Sequence, residues 1–330
     1  MEPTFSSETS KQGTDFPRFQ ILSLDGGGIR GLFSAGILAA WEDNLGHPLV
    51  DHFDLITGTS TGGIIALGLG LGLRPRELVE FYKNHGPNIF PGGWRKPFRG
   101  VRHLFRSKFK NAALQRSLEG ALQNKLLGHS KKRLVIPSFD LGNGTVRVYK
   151  TAHHEDLKTD HRCPAWQVAM ATTAAPTYLP AFRGADQRRL VDGGVWANNP
   201  CMVGVVEAVA KVGVPLHAIR VLSLGTSNAL TYPPDALNSG GKMHWATWAP
   251  EVIMQGQSVA AAGQAFLLLG KERFLRINPN VPKGLFALDY ADAEKLLAAA
   301  NNEAMHHEPS VRERFFSHLA PNFVPFHNLN

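Results

Sequence analysis

The chain has 330 residues, 43% hydrophobic and 19% charged, a balance that excludes a disordered polyelectrolyte and suits a large folded domain. Thirty-five Lys and Arg against 27 Asp and Glu give a formal net charge of +8. That excess favours anionic partners such as lipid surfaces, phosphorylated ligands and nucleic acid, without choosing among them. Two cysteines, Cys163 and Cys201, supply neither a disulfide framework nor a metal-binding spacing, and no repeat period is visible.

Residues 1–17 are polar, lack the apolar centre of a secretory signal, and are expected to be a mobile tail. The longest apolar runs, residues 64–73 and 259–269, are interrupted by Gly or Gln and fall short of the ~18 residues of a membrane span. A soluble, reduced, cytosolic protein is expected. "FQILSL" (residues 19–24) reads as a buried strand, followed by three glycines and a helix over residues 32–41. "FDLIT" (53–57) is a second strand, running into "GTSTGG" and an apolar helix. Helices are predicted over 75–84 and 111–127, the latter with Leu114, Leu118, Leu122 and Leu126 on one stripe. Strands at 134–139 and 146–149 flank Gly142-Asn143-Gly144 and form a hairpin. A small-residue helix (165–175) stops at Pro176, a strand (189–191) leads into "DGG", a helix covers 201–211, and "IRVLSLG" (219–225) is a further parallel strand. The remainder reads as helices at 251–269, 290–301 and 311–319. Strands alternating with helices predict one α/β domain over residues 18–330, a mostly parallel sheet covered on both faces, with a helical C-terminal extension from about residue 250.

The first glycine loop, "LSLDGGGIRGL", fits the dinucleotide fingerprint at Gly26, Gly28 and Gly31. That fingerprint needs an acid at the end of the second strand, and Asp51 and Asp54 come too early. The expected place holds Gly58-Thr59-Ser60-Thr61-Gly62 instead, a Gly-x-Ser-x-Gly elbow between strand and helix, which presents a nucleophilic serine at a helix N-terminus. Backbone N–H groups of Gly26, Gly27 and Gly28, with Arg30 beside them, then suit an oxyanion hole. The base is left open by the residues alone. Twelve histidines follow Ser60, none in a telling motif, and Asp192 of "LVDGGVWANNP" also reads as a plain Asp-Gly-Gly turn. A Ser-His-Asp esterase and a non-catalytic nucleotide-binding protein are the rival readings.

"DGGGIRG", "GTSTG" and "DGG" in this order, with "ATTAAPTYLPAF" and "ANNP" near the last, resemble the patatin-like phospholipases over about residues 19–225. The resemblance implies a three-layer α/β/α fold and hydrolysis of acyl esters in membrane phospholipid. It makes Ser60 the nucleophile and Asp192 its base without histidine. Gly26, Gly27, Gly28 and Arg30 become the oxyanion hole, Gly58 and Gly62 the elbow, and no metal or cofactor is needed. "ILSLDGGGIRGLFSAGIL" resembles in particular bacterial patatin-like effectors switched on by a cyclic dinucleotide in anti-phage defence. That implies work at the inner membrane surface from the cytoplasm. "WRKPFRGVRHLFRSKFK" (residues 94–110) interleaves aromatics with cations. Trp94, Arg95, Lys96, Arg99, Arg102 and Arg106 are the candidate contacts to lipid or activator, against the plain alternative of a solvated basic segment. No nucleic-acid reader fold accompanies it, so no DNA or RNA polymer is expected. Residues 259–269 are expected in the core or at a homo-oligomer contact, and Trp245 and Trp248 in buried packing.

Overall fold

A computed structural model describes residues 17–89, 111–184, 186–229, 235–281 and 292–329. The expected tail, Pro17 apart, and the whole basic stretch 94–110, with Trp94, Arg95, Lys96, Arg99, Arg102 and Arg106, lie outside the described residues.

Four parallel pairings build the centre of the sheet. β1 (Phe19–Leu24) lies between β2 (Leu55–Gly58) and β7 (Ile219–Leu224), β2 continues to β3 (Arg133–Asp140), and β7 continues to β9 (Phe274–Ile277). Every residue of β1 is buried, as a parallel strand covered on both faces requires. Alternation along it divides the core: Leu22 and Leu24 point into the larger apolar cluster, Phe19 and Ile21 into the smaller. The larger is closed by α1 (Gly31–Glu42), α2 (Thr61–Gly70), α3 (Pro75–Ile89), α4 (Asn111–Leu122), α5 (Ala165–Thr173) and α9 (Ala293–Arg314). The smaller is closed by α7 (Cys201–Ala210) and α8 (Lys242–Leu269). The result is the expected α/β/α sandwich.

One edge of β3 carries the feature that positions the site. The predicted hairpin partner, β4 (Thr145–Lys150), pairs with residues 135–140 of β3. On the opposite edge, β2 runs parallel to residues 133–135, while β6 (Arg189–Asp192) runs antiparallel to residues 138–140. Two strands therefore approach each other head to head along one edge. β2 ends at Gly58 just past the Thr57↔Val135 pair, and β6 ends at Asp192 opposite Ser138.

Five expectations are corrected. The helices predicted at 290–301 and 311–319 are one helix, α9, with Pro309 inside it. Its buried stripe of Leu296, Ala300, Ala304 and Val311, and the Trp41 indole donating to the Ala304 carbonyl at 3.0 Å, hold it against the core through the proline. Tertiary packing here overrides a local breaker. The helix predicted from 251 begins at Lys242 and carries Pro250. Within it, Trp248–Leu269 has the length and apolarity of a membrane span by composition, at mean hydropathy 1.3, because single Gly and Gln residues interrupt a run without lowering its average much. Residues 259–269 are largely solvent-facing rather than core, with only Ala265 and Leu269 buried, and Trp245 is exposed.

Asp25 links the sheet to the glycine loop. It is buried at the end of β1, and Arg276 of β9 grips both of its oxygens, at 2.8 and 2.5 Å. Arg276→Ala leaves that carboxylate buried and unpaired, so a loss of about 3–5 kcal/mol is expected in urea unfolding. The double variant Asp25→Ala/Arg276→Ala should recover part of it. A single-variant loss below 1 kcal/mol contradicts this account of the pair.

Candidate active site

Ser60 is the hinge between β2 and α2, with φ 55° and ψ −122°, a left-handed conformation that costs a non-glycine residue energy. The glycines on either side make the turn feasible. A Cβ on Gly58 would stand 2.2 Å from the Gly62 carbonyl oxygen, and one on Gly62 would stand 2.2 Å from the Leu24 carbonyl oxygen. Both contacts are with backbone, which cannot give way. The Ser60 amide donates to Thr172 Oγ1 at 3.0 Å, and Thr172 Oγ1 donates to the Pro137 carbonyl at 2.6 Å, tying the elbow to β3.

The Ser60 hydroxyl donates to Asp192 Oδ2 at 2.6 Å, across 132 residues of sequence. The other carboxylate oxygen, Oδ1, accepts the Gly194 amide at 2.7 Å, a bond made where Gly193 opens α6 (Gly194–Ala197). Asp192 is buried, and no cation among the described residues offsets its desolvation; burial lifts its pKa from 3.8 to about 6, with the Ser60 and Gly194 hydrogen bonds pulling the other way. Among the described residues no histidine hydrogen-bonds to Ser60 or Asp192. His153, fully buried, is engaged instead with Glu207 at 2.9 Å.

The glycine loop lies against the serine: a Cβ on Gly26 would come within 3.3 Å of Ser60 Cβ. The three amides are not equivalent. The Gly26 amide donates to the Asn198 carbonyl at 3.0 Å and is occupied. Gly27 and Gly28 amides make no hydrogen bond to any described residue, and Gly28 has φ 60° as the chain turns into the 3₁₀ turn Gly28–Arg30 ahead of α1. A Cβ on Gly27 would meet Thr226 Oγ1 at 2.0 Å. Arg30 does not point its donors at the serine. Its Nε donates to the Gly27 carbonyl at 3.3 Å and Nη1 to the Ser227 carbonyl at 3.1 Å, bracing the loop from behind. Thr172, Asn198 and Thr226 shape the site. Thr172 and Asn198 lie in "ATTAAPTYLPAF" and "ANNP", which carry the resemblance without marking either residue, and Thr226 lies in no such segment.

A serine at a tight strand-to-helix turn on a covered α/β sheet is an arrangement that acyl hydrolases use. The family model described as patatin-like phospholipase matches residues 22–205, more than half the chain. A cGAMP-activated phospholipase of Pseudomonas aeruginosa is 33% identical over 281 residues, 84% of each chain. A cGAMP-activated phospholipase of Escherichia coli is 35% identical over 225 residues, 64% of this chain and 63% of that protein, so the match spans just under two thirds of that relative. The crystal structure of VipD from Legionella pneumophila shares the fold at a TM-score of 0.50 and 15% identity, covering 89% of this chain and 67% of that one. The chain belongs to the patatin-like phospholipase family.

The unpaired burial of Asp192 has a thermodynamic signature. A carboxyl group whose folded pKa stands above its unfolded value is bound more tightly as the acid, so stability falls as pH rises from about 4 to about 6, by about 3 kcal/mol in all, and stays reduced above that. Asp192→Asn keeps an acceptor for Gly194 and removes the charge. Thermal unfolding should therefore show this variant melting above wild type at pH 8, with the gap closing below pH about 4. Equal melting temperatures at both pH values contradict the desolvated carboxylate.

Proposed function

We propose that the chain is a phospholipase A-type enzyme that cleaves acyl esters of membrane glycerophospholipids with a Ser60–Asp192 dyad, under the control of a cyclic dinucleotide. The 2.6 Å hydroxyl–carboxylate bond at the elbow is the observation that carries this reading. As Ser60 Oγ attacks the ester carbonyl carbon, its proton passes to Asp192 Oδ2 and the carbonyl π electrons move onto oxygen. The Gly27 and Gly28 amides are the donors that receive this oxyanion, at the positive end of the turn leading into α1; Gly26, its amide occupied, and Arg30, bonded to carbonyls, support the loop instead. The intermediate collapses as the protonated Asp192 gives its proton to the departing lysophospholipid oxygen, leaving an acyl ester on Ser60. Water, deprotonated by Asp192, repeats the sequence to release fatty acid. A carboxyl with pKa about 6 is mostly ionised at neutral pH and a better proton acceptor than an ordinary aspartate.

The two bacterial relatives named for activation by cGAMP support nucleotide control, as does the excess positive charge. A substrate within a bilayer and a soluble nucleotide signal favour action at the inner face of the cytoplasmic membrane.

Release of fatty acid from mixed phospholipid vesicles, with and without cGAMP, tests the reading. Ser60→Ala and Asp192→Asn should each lower the rate by about 10³-fold or more while the protein stays folded. Wild-type kcat/KM should rise with pH as one proton leaves and level off above about 6. Full activity in Asp192→Asn rejects the dyad. Equal rates with and without cGAMP reject nucleotide control and leave the hydrolase standing.

A further inference from the structure

Helix α8 leaves its outer face without a partner among the described residues. Trp245, Val252, Val259 and Phe266 recur at seven-residue spacing, so they share one face over about 32 Å. Val259 is 63% exposed, Phe266 49%, and the adjacent Leu267 83%. Contiguous exposed apolar surface of this extent marks an interaction site. The opposite face cannot leave the domain, because Ala265 and Leu269 belong to the smaller core cluster. The helix therefore lies on the protein and does not span a bilayer.

The same helix braces the catalytic segment. Gln257 Nε2 donates to the Val195 carbonyl at 3.0 Å, Asn198 Nδ2 to Ser258 Oγ at 3.1 Å, and Asn199 Nδ2 to the Ser258 carbonyl at 3.2 Å. All three partners follow directly on Asp192. Glu251 is the one ionisable residue between Trp248 and Leu269, and its charge acts on Arg30 behind the glycine loop. Lys242 and Lys271 flank the apolar stretch.

The geometry points to the outer face of α8 as the surface that seats the protein on a lipid bilayer. Resting on the phospholipase reading, this names how the site reaches its substrate. Three features select lipid as the occupant. The face belongs to the helix that holds the segment following Asp192, so seating it keeps that segment one helix diameter, ~10 Å, from the lipid. A tryptophan near one end and Phe and Leu at the other match side chains that enter the headgroup and upper acyl region. A net charge of +8 draws the chain to anionic headgroups but repels a second copy of itself.

The test uses full-length protein and vesicles of phosphatidylethanolamine and phosphatidylglycerol in equal parts, with cGAMP present throughout. Binding is measured by co-sedimentation in the Ser60→Ala background, so that the vesicles stay intact. Val259→Glu and Leu267→Glu sit on the exposed face and should leave melting temperature unchanged. Each should weaken vesicle binding at least tenfold, while hydrolysis of a water-soluble nitrophenyl ester in the Ser60-containing protein stays within twofold. Val259→Leu should bind as its parent does. If both glutamate variants bind like the parent, or the parent does not bind, the proposal is overturned. It is also overturned if sedimentation velocity shows a dimer that the glutamate variants dissociate, since a second copy then covers the face. Loss of vesicle binding in the variants, with no soluble-ester hydrolysis by the wild type, upholds the docking surface and rejects the hydrolase reading alone.

Discussion

The hydrogen bond from Ser60 Oγ to Asp192 Oδ2 exists because two strands meet end to end along one edge of β3. β2 arrives parallel to β3 and delivers the serine at its C-terminal end; β6 arrives antiparallel and delivers the carboxylate at its own. The local elbow presents the serine, but its meeting with the carboxylate is not set by the local sequence of either. The register of both strands on a common partner fixes the separation, and a shift of one residue in either pairing would turn the side chain to the other face of the sheet. The cramped glycines of the elbow follow from the tightness of the turn and its packing on the end of β1. With Gly62 pressed on the Leu24 carbonyl and Gly58 on the Gly62 carbonyl, no side chain fits beside the serine.

Two buried carboxylates near the active site are both pushed up by desolvation and differ in what opposes it. Asp25, at the end of β1, is matched by the bidentate Arg276, which opposes the cost of its burial. Asp192 has, among the described residues, a hydroxyl and one amide to oppose desolvation, and its proton affinity moves up to about pH 6. Among the described residues no cation stands at Asp192, whereas one does at Asp25: a guanidinium beside the base would make it a weaker proton acceptor. Placing a charge in this state costs stability, a cost common at sites where chemistry rather than packing decides the residue.

Much of this was legible in the letters. β1, β2 and β7 show as short apolar runs because both faces of each strand are covered, and Gly-x-Ser-x-Gly between a strand and a helix announces its own steric reason. The hairpin of β3 and β4 follows from its glycine-bearing turn. Asp192 was not legible as a base from its neighbourhood, where Asp-Gly-Gly reads equally as a turn. Its role emerges from the resemblance and from long-range pairing with β3. The division of labour among Gly26, Gly27 and Gly28 was hidden for the same reason, since the acceptor that occupies the Gly26 amide is the carbonyl of Asn198. The continuity of α9 through Pro309, and the exposure of α8, depend on what packs against each helix, which periodicity alone does not reveal.

The glycine loop and elbow sit at the C-terminal ends of the parallel strands β1 and β2, the base sits at the end of the antiparallel β6, and α8 joins this end of the domain to an apolar surface through Gln257 and Ser258. Catalytic geometry and access are thus carried by one connected scaffold. The dyad at its centre is tested most directly by labelling the protein with a fluorophosphonate across a pH series and locating the adduct by peptide mass spectrometry. The account predicts a single adduct on Ser60, formed at a rate that follows one ionisation near pH 6 and that collapses in Asp192→Asn. An adduct on another residue, or labelling of Ser60 at the wild-type rate in that variant, would contradict it.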